Sequence, residues 1–205
     1  MNTNRIPHYH STRAVFLFAI LLTPPFIYAQ QAQSAAARMN ERGPENSQLA
    51  EREGVWDVTE TIWGDAGTQP TVFKLVAERK MIGNYLQEVI EPAPNSPPAD
   101  VKRIDYLSFN RVEGRWKYVS MDTRAPVGIM PALSYERIEN GAIVLRFDPL
   151  TLVGAGTEVT GQMLRLEQVI TYQGSDRDTK DQYFLAADGT GNKKLAHRYA
   201  YTRHK

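Results

Sequence analysis

Apolar and polar residues alternate along most of the chain from Gly54 onward, which is the period of a half-buried β-strand. In the first of these runs Trp56, Val58 and Ile62 fall on one side. Similar runs predict strands at Thr71–Met81, Tyr85–Glu91, Val101–Phe109, Trp116–Asp122, Leu133–Ile138, Ile143–Phe147, Leu164–Tyr172, Gln182–Leu185 and Leu195–Arg203. The pattern therefore predicts a chain of about ten strands.

Short turn sequences rich in glycine, asparagine and aspartate separate these runs, and they indicate sequential hairpins. Examples are Gly83-Asn84, Asn140-Gly141 and Asp188-Gly189. Strands in up-and-down order leave unpaired edges unless the sheet closes. We therefore expect an all-β fold, an up-and-down antiparallel barrel of about ten strands with a short N-terminal helix, wide enough to enclose one small ligand.

The N-terminus has the order of features of a secretory signal peptide. Arg5 and Arg13 precede the apolar run Ala14–Leu22, and Ile27-Tyr28-Ala29 offers a cleavage site. The apolar run is too short to span a bilayer, which takes about 20 residues. We expect a signal peptide at 1–29, a flexible tether at 30–48 and the barrel at 49–205, in a periplasmic or extracellular protein without a transmembrane span in its mature form.

Composition narrows the possible partners. The sequence has no cysteine, so the exported domain has no disulfide and depends on its core. Its formal net charge is +1, or −1 without Arg5 and Arg13 of residues 1–29, and such balance argues against non-specific nucleic-acid binding.

The opening strand resembles that of lipocalin-like (calycin) barrels. Glu53-Gly54-Val55-Trp56-Asp57-Val58 contains the Gly-x-Trp motif, in which the tryptophan plugs the closed end. More of the chain is similar to a bacterial family of exported calycin-like domains of unknown function, at Met81–Leu86, Asp105-Tyr106, Trp116–Asp122 and Tyr201–Arg203. The resemblance implies a ligand cavity, and a structural cation–π contact of Arg203 or Arg198 with Trp56.

Aromatic and polar residues on the later strands are candidates for a ligand site. Asp122 shares the parity of Trp116 and Tyr118, a face that suits either a cavity wall or an exposed surface. The candidate ligand-binding residues are Trp116, Tyr118, Asp122, Tyr135, Tyr172 and His197. The leading hypothesis is an exported binding protein for a small, mostly apolar molecule.

Two other function classes stay open. Acidic residues interrupt the apolar strands at Glu60, Glu88, Asp105, Asp122 and Glu167, and alternation favours solvent-facing positions for most of them. An inward carboxylate such as Asp122 or Glu88 beside His197 would instead suit a barrel isomerase or hydrolase. A large exposed apolar patch would indicate an interaction module of the cell envelope.

No metal or cofactor is expected. Without the leader the chain keeps only His197 and His204, too few for a histidine-rich zinc site. Haem-binding barrels of the nitrobindin type also use a late histidine, but their Gly-rich continuation after the first Trp is replaced here by Asp57-Val58-Thr59-Glu60. Gly154-Ala155-Gly156 lacks the lysine of a phosphate loop, and no serine or cysteine nucleophile motif is present.

Overall fold

The computed structural model describes residues 34–64, 68–96, 101–125, 127–151, 163–186 and 190–205. The predicted signal peptide, residues 1–29, lies outside the described residues. Two short helices come first, α1 at Ala35–Asn40 and α2 at Pro44–Ala50. The strands are β1 Gly54–Ile62, β2 Thr71–Ile82, β3 Tyr85–Pro92, β4 Arg103–Asn110, β5 Arg115–Asp122, β6 Ile129–Leu133, β7 Ile143–Phe147, β8 Leu150–Thr151, β9 Met163–Tyr172, β10 Arg177–Ala186 and β11 Lys193–Arg203.

The strands form a closed antiparallel barrel. Each strand from β1 to β6 pairs with the next one, β9 pairs with both β7 and β10, and β11 pairs with both β10 and β1. The short β8 adds to β9 at the rim. The described residues therefore form a closed ten-strand antiparallel barrel, and the predicted all-β fold class is confirmed.

Helix α2 covers one end of the barrel, which we call the closed end. Leu49 of α2 is fully buried in the core. The side-chain amide of Asn46 donates to the carbonyl of Phe109 at 3.2 Å and accepts from the Phe109 N–H at 2.8 Å. These contacts satisfy the backbone N–H and carbonyl of Phe109, near the end of β4. We call the opposite end, where β1 ends and β11 begins, the mouth.

The packed barrel unit comprises Glu41–Lys205, and α1 lies outside it. Helix α2 begins within residues 30–48, the segment predicted as a flexible tether, and it buries Asn46 there and Leu49 just beyond it. None of the described helices is long and apolar enough to cross a membrane.

The opening tryptophan of β1 lies at the closed end. Trp56 is fully buried, and its indole N–H donates to the carbonyl of Arg52 at 3.0 Å. The guanidinium groups of Arg79 and Arg203 lie 4.6 and 4.4 Å from the Trp56 ring centroid. Arg198, the alternative partner, instead pairs with Asp181.

Two strands differ from their predicted positions. The sequence predicts a strand at Leu133–Ile138, but β6 ends at Leu133. Pro131 has no N–H to donate, and β6 pairs with β7 only at Ala132–Phe147 and Leu133–Arg146. Strand β10 begins at Arg177, earlier than the predicted Gln182. The sequence pattern missed this first half because its inward positions hold the charged Asp178 and Lys180 instead of apolar side chains.

We expect Trp56→Ala to lower the free energy of unfolding by about 3–5 kcal/mol, because the barrel cannot collapse into the volume of a lost indole. Chemical denaturation measures the change. Trp63→Ala, at a half-buried position just after β1, is the control and should cost less. A loss below about 1 kcal/mol for Trp56→Ala would show that Trp56 does not anchor the closed end.

Candidate functional site

Charged side chains occupy the centre of the barrel. The Lys180 ammonium on β10 contacts the carboxylate of Glu88 on β3 and lies 2.7 Å from that of Asp105 on β4. All three side chains are buried. An isolated buried charge costs several kcal/mol, so such groups are stable inside a protein only when they are paired. Lys180 therefore connects β10 with β3 and β4, which lie on the opposite side of the barrel.

The charged network extends from the centre to the closed end. Arg79 donates through Nε to Glu88 at 2.6 Å and through Nη1 to Asp178. Asp178 also accepts from Nη1 of Arg52 at 3.0 Å. Arg79 thus connects Glu88, the partner of Lys180, with Asp178, the partner of Arg52.

In the other direction the network leads toward the mouth. Arg103 donates through Nε to Asp105 at 3.0 Å. Its two terminal nitrogens donate to the hydroxyls of Tyr199 and Tyr118, both at 3.0 Å. Tyr199 is therefore the link between the centre and the groups at the mouth.

Five residues form what we call the mouth cluster: Glu60, Asp122, Arg124, His197 and Tyr199. Arg124 donates to Glu60 at 2.7 Å, to Tyr199 at 3.2 Å, and through two nitrogens to Asp122 at 3.0 and 2.9 Å. The other oxygen of Glu60 lies 3.1 Å from Nδ1 of His197. Strands β1 and β11 and the segment after β5 meet in this cluster.

The polar interior is one continuous chain of contacts with balanced charge. In order from the closed end its members are Arg52, Asp178, Arg79, Glu88, Lys180, Asp105, Arg103, Tyr199, Arg124, Glu60 and His197, with Asp122 bound to Arg124. Five cations face five carboxylates along it. No net charge is therefore buried while His197 is neutral.

Pairing keeps the carboxylates ionised. Burial alone raises the pKa of Glu60, but hydrogen bonds from His197 and Arg124 outweigh it and lower that pKa to about 2. Burial also raises the pKa of Asp122, and the hydrogen bonds and charge of Arg124 lower it below its ordinary value. Burial lowers the pKa of Lys180, whereas Asp105 and Glu88 raise it well above the ordinary value.

The ionised state of Glu60 assigns the proton on His197. A carboxylate only accepts hydrogen bonds, so Nδ1 of His197 must donate. In the neutral ring Nε2 is then an acceptor, and it has no hydrogen-bond partner among the described residues. Arg124 uses four N–H groups on Asp122, Glu60 and Tyr199, which leaves one N–H on Nη1 without a partner in the described part of the chain.

The expectation that the interrupting acids face solvent is wrong. Glu60, Glu88, Asp105 and Glu167 are 0%, 4%, 2% and 8% exposed, and the Asp122 side chain is 8% exposed. Glu60, Glu88 and Asp105 face inward, where cations neutralise them. Glu167 is instead covered by Arg146 and Lys193. Alternation identifies the face of a strand, and charge pairing here overrides the rule that acids face water.

The candidate ligand residues lie in different parts of the barrel. Asp122 and His197 meet at the mouth through Arg124 and Glu60. Trp116 is fully buried among the residues near α2, and Tyr172 lies beneath the guanidinium of Arg52 at 4.4 Å.

The remaining two tyrosines are separated from the mouth as well. Tyr118 contacts Arg103 in the centre of the barrel. Tyr135 is 70% exposed, with the Arg146 guanidinium 5.4 Å from its ring centroid, and does not line the interior. Of the six candidates, only Asp122 and His197 therefore share a polar cluster at the mouth.

The void described at the centre of the barrel is small, and its lining is partly polar. A void of about 30 Å³ there is lined by Arg79, Glu88, Asp105 and Lys180 as well as by apolar groups, and it has room for about one water molecule. A larger groove of about 270 Å³ is lined by residues of β3 to β6 and by Asp148. Its lining includes Tyr85, Tyr106, Pro131 and the candidate Tyr118, together with the polar Ser108 and Lys117. The described part of the chain contains no group of three or more His, Asp or Glu arranged to hold a metal ion.

Glu60 and Arg124 were not singled out as site residues from the sequence. Glu60 has the parity of Trp56 and Val58, and a charge on the apolar parity of a strand was the available signal. Arg124 follows the strand end at Asp122 and carries no periodic signal.

Comparison with known proteins supports the fold. No family model and no curated protein sequence matches this chain. Among solved structures it is similar to the crystal structure of Rv2717c from M. tuberculosis, with a TM-score of 0.53 and 13% identity, covering 80% of this chain and 100% of that chain. At that identity the likeness concerns the fold alone.

We expect Lys180→Met to destabilise the barrel by about 3–5 kcal/mol, because Glu88 and Asp105 would keep buried charges without their cation. The matched control is Lys193→Met, which removes a half-exposed lysine 2.8 Å from Glu167 and should cost less than about 1 kcal/mol. Urea unfolding of both variants measures the difference. Equal losses would mean that the central pairing is not a main source of stability.

Proposed function

We propose that this protein is an exported small-molecule-binding barrel of calycin type whose ligand binds at the mouth. The ligand places a carbonyl-type oxygen atom on Arg124, beside His197. Its apolar part contacts the half-buried side chains around them. The void described at the barrel centre is too small for an organic ligand, so we place the ligand at the end of the barrel rather than in the middle.

The observation that carries the proposal is the order of exposure in the mouth cluster. The side chains of Arg124 and His197 are 26% and 23% exposed, whereas those of Glu60 and Asp122 are 0% and 8% exposed. The carboxylates therefore lie behind the groups that they orient. Such an arrangement presents fixed polar groups to a ligand, because their rotamers are already held before binding.

The local charge favours a neutral ligand. Within the mouth cluster itself Glu60 and Asp122 contribute two negative charges and Arg124 one positive charge, so the cluster disfavours an additional carboxylate. The unused N–H of Arg124 suits the carbonyl oxygen of a ketone, amide or ester. We therefore assign a neutral organic molecule with a carbonyl-type acceptor.

Apolar side chains surround this polar point. The ring of Phe184 packs edge to face against His197, with centroids 6.2 Å apart. Ile62 faces His197 across the β1–β11 pair, and Phe73 faces Glu60 across the β1–β2 pair. All three are half-buried. A ligand with a small apolar body fits this combination of surfaces.

Export is the cellular part of the proposal, and it is supported by the charged, apolar and small-residue order of residues 1–29. We expect the mature chain to begin at Gln30. N-terminal sequencing of protein isolated from the cell envelope measures this. Recovery of a chain that still begins at Met1 would contradict export by cleavage.

Binding is tested with two fluorinated probes of similar shape, 4-fluoroacetophenone and 4-fluorobenzoate. We expect the neutral ketone to bind more tightly than the carboxylate, as measured by fluorine NMR line broadening. Phe184→Ala should weaken ketone binding by about tenfold, because a well-packed aromatic contact contributes more than about 1 kcal/mol.

Two tyrosine variants serve as controls for that titration. Tyr135→Ala, at an exposed position beside Arg146, should leave binding unchanged. Tyr85→Ala removes a residue of the outer groove. If Tyr85→Ala weakens binding and Phe184→Ala does not, the ligand occupies the outer groove and the mouth proposal is overturned.

A further inference from the structure

We infer that the mouth cluster is a proton-transfer site, in which His197 is a general base toward a carbon acid whose oxygen is held by Arg124. This inference rests on the proposed function, since it requires a ligand at the mouth. It assigns a reaction class, isomerisation through removal and return of a proton next to a carbonyl or a similar activating group.

The imidazole of His197 is held in the orientation that a base requires. Glu60, fully buried, accepts from Nδ1 at 3.1 Å and fixes the tautomer in which Nε2 is free of a proton. The ring is stacked on Tyr199 with an interplanar angle of 10° and packs against Phe184 at 70°. These contacts restrict rotation of the ring, so Nε2 keeps a constant position relative to the mouth.

The groups that contact this base come from both neighbouring strands and from its own strand. Glu60 comes from β1, Phe184 from β10, and Tyr199 from β11 itself. Arg124 binds the second oxygen of Glu60, which prevents that carboxylate from turning away from the histidine. Glu60 is consequently a positioning residue, and His197 is the group that would touch the substrate.

The proposed step needs no further reactant. The substrate C–H proton moves to Nε2 of His197, and the electron pair of that bond delocalises onto the substrate oxygen. The remaining N–H of Arg124 Nη1 donates to this oxygen as its negative charge develops. His197 then returns the proton to a different carbon, so that the product is an isomer of the substrate and the enzyme is unchanged.

The test uses 5-nitrobenzisoxazole, a neutral probe that reports an oriented base. Removal of its ring C–H proton forms a nitrile and breaks the N–O bond, which leaves the electron pair on a phenolate oxygen. The overall reaction is an isomerisation, and the absorbance of the phenolate product measures its rate. We expect the purified protein to convert the probe with saturable kinetics. His197→Gln should lower the turnover rate by about 100-fold.

His204 provides a matched control for the histidine. Its Nδ1 also lies 3.1 Å from a carboxylate, that of Asp57, but its side chain is 59% exposed and it lies after the last strand. His204→Gln should leave turnover unchanged. Equal turnover in wild type, His197→Gln and His204→Gln would overturn the inference.

The positioning role of Glu60 has its own measurement. Glu60→Gln keeps the size of the side chain but removes its charge, and we expect kcat to fall by about tenfold with KM nearly unchanged. If KM rises instead while kcat is retained, Glu60 only shapes the binding site, and its assigned role is wrong. His197→Gln carries the main test if Glu60→Gln does not fold.

Binding of 4-fluoroacetophenone separates the two proposals. If the ketone binds at the mouth and 5-nitrobenzisoxazole is not converted, the proton-transfer inference is wrong and the binding function stands. If neither the ketone nor the benzisoxazole binds, the proposed function itself fails.

Discussion

The contact of Lys180 with Glu88 and Asp105 is the constraint on which the rest of the barrel depends. These charges are buried, so each must meet its partner across the closed sheet. A slip of one residue in any of the three strands would turn its charge outward and leave the others unpaired. The pairing therefore selects one strand register. It also explains why Arg79 and Arg103 extend the network in both directions, because each carboxylate can accept more than one donor.

The same buried charges leave no room for a ligand at the barrel centre, and the candidate site therefore lies at the mouth. A barrel of this size has room for a ligand in its middle, but here side chains fill that volume. At the mouth the network meets solvent, and its last members, Arg124 and His197, are only partly covered. Their carboxylate partners are desolvated, which strengthens the hydrogen bonds between them. The site is therefore rigid because it is continuous with the core.

Most of the fold was predictable from the sequence, because alternation and turn residues are local signals. The predicted strand boundaries were wrong where the local pattern conflicted with the tertiary structure. These places are Pro131 in β6 and the inward charges near the start of β10. The site was less predictable. Glu60 and His197 are 137 positions apart, and only barrel closure brings β1 beside β11. Parity alone placed Asp122 on one face with Tyr118, but it did not tell which face was the interior.

A purely structural role would explain the central pairs but not the end of the network. The central pairs select the strand register, a role that apolar side chains of similar volume could not take even where they matched the stability. At the mouth, moreover, a histidine adds no balancing charge while it is neutral, and its Nε2 makes no hydrogen bond among the described residues. What Glu60 and Arg124 do provide there is orientation, and fixed dipoles stabilise developing charge without having to reorganise. The contact between Glu60 and His197 at the mouth is thus better explained by binding and proton transfer than by folding.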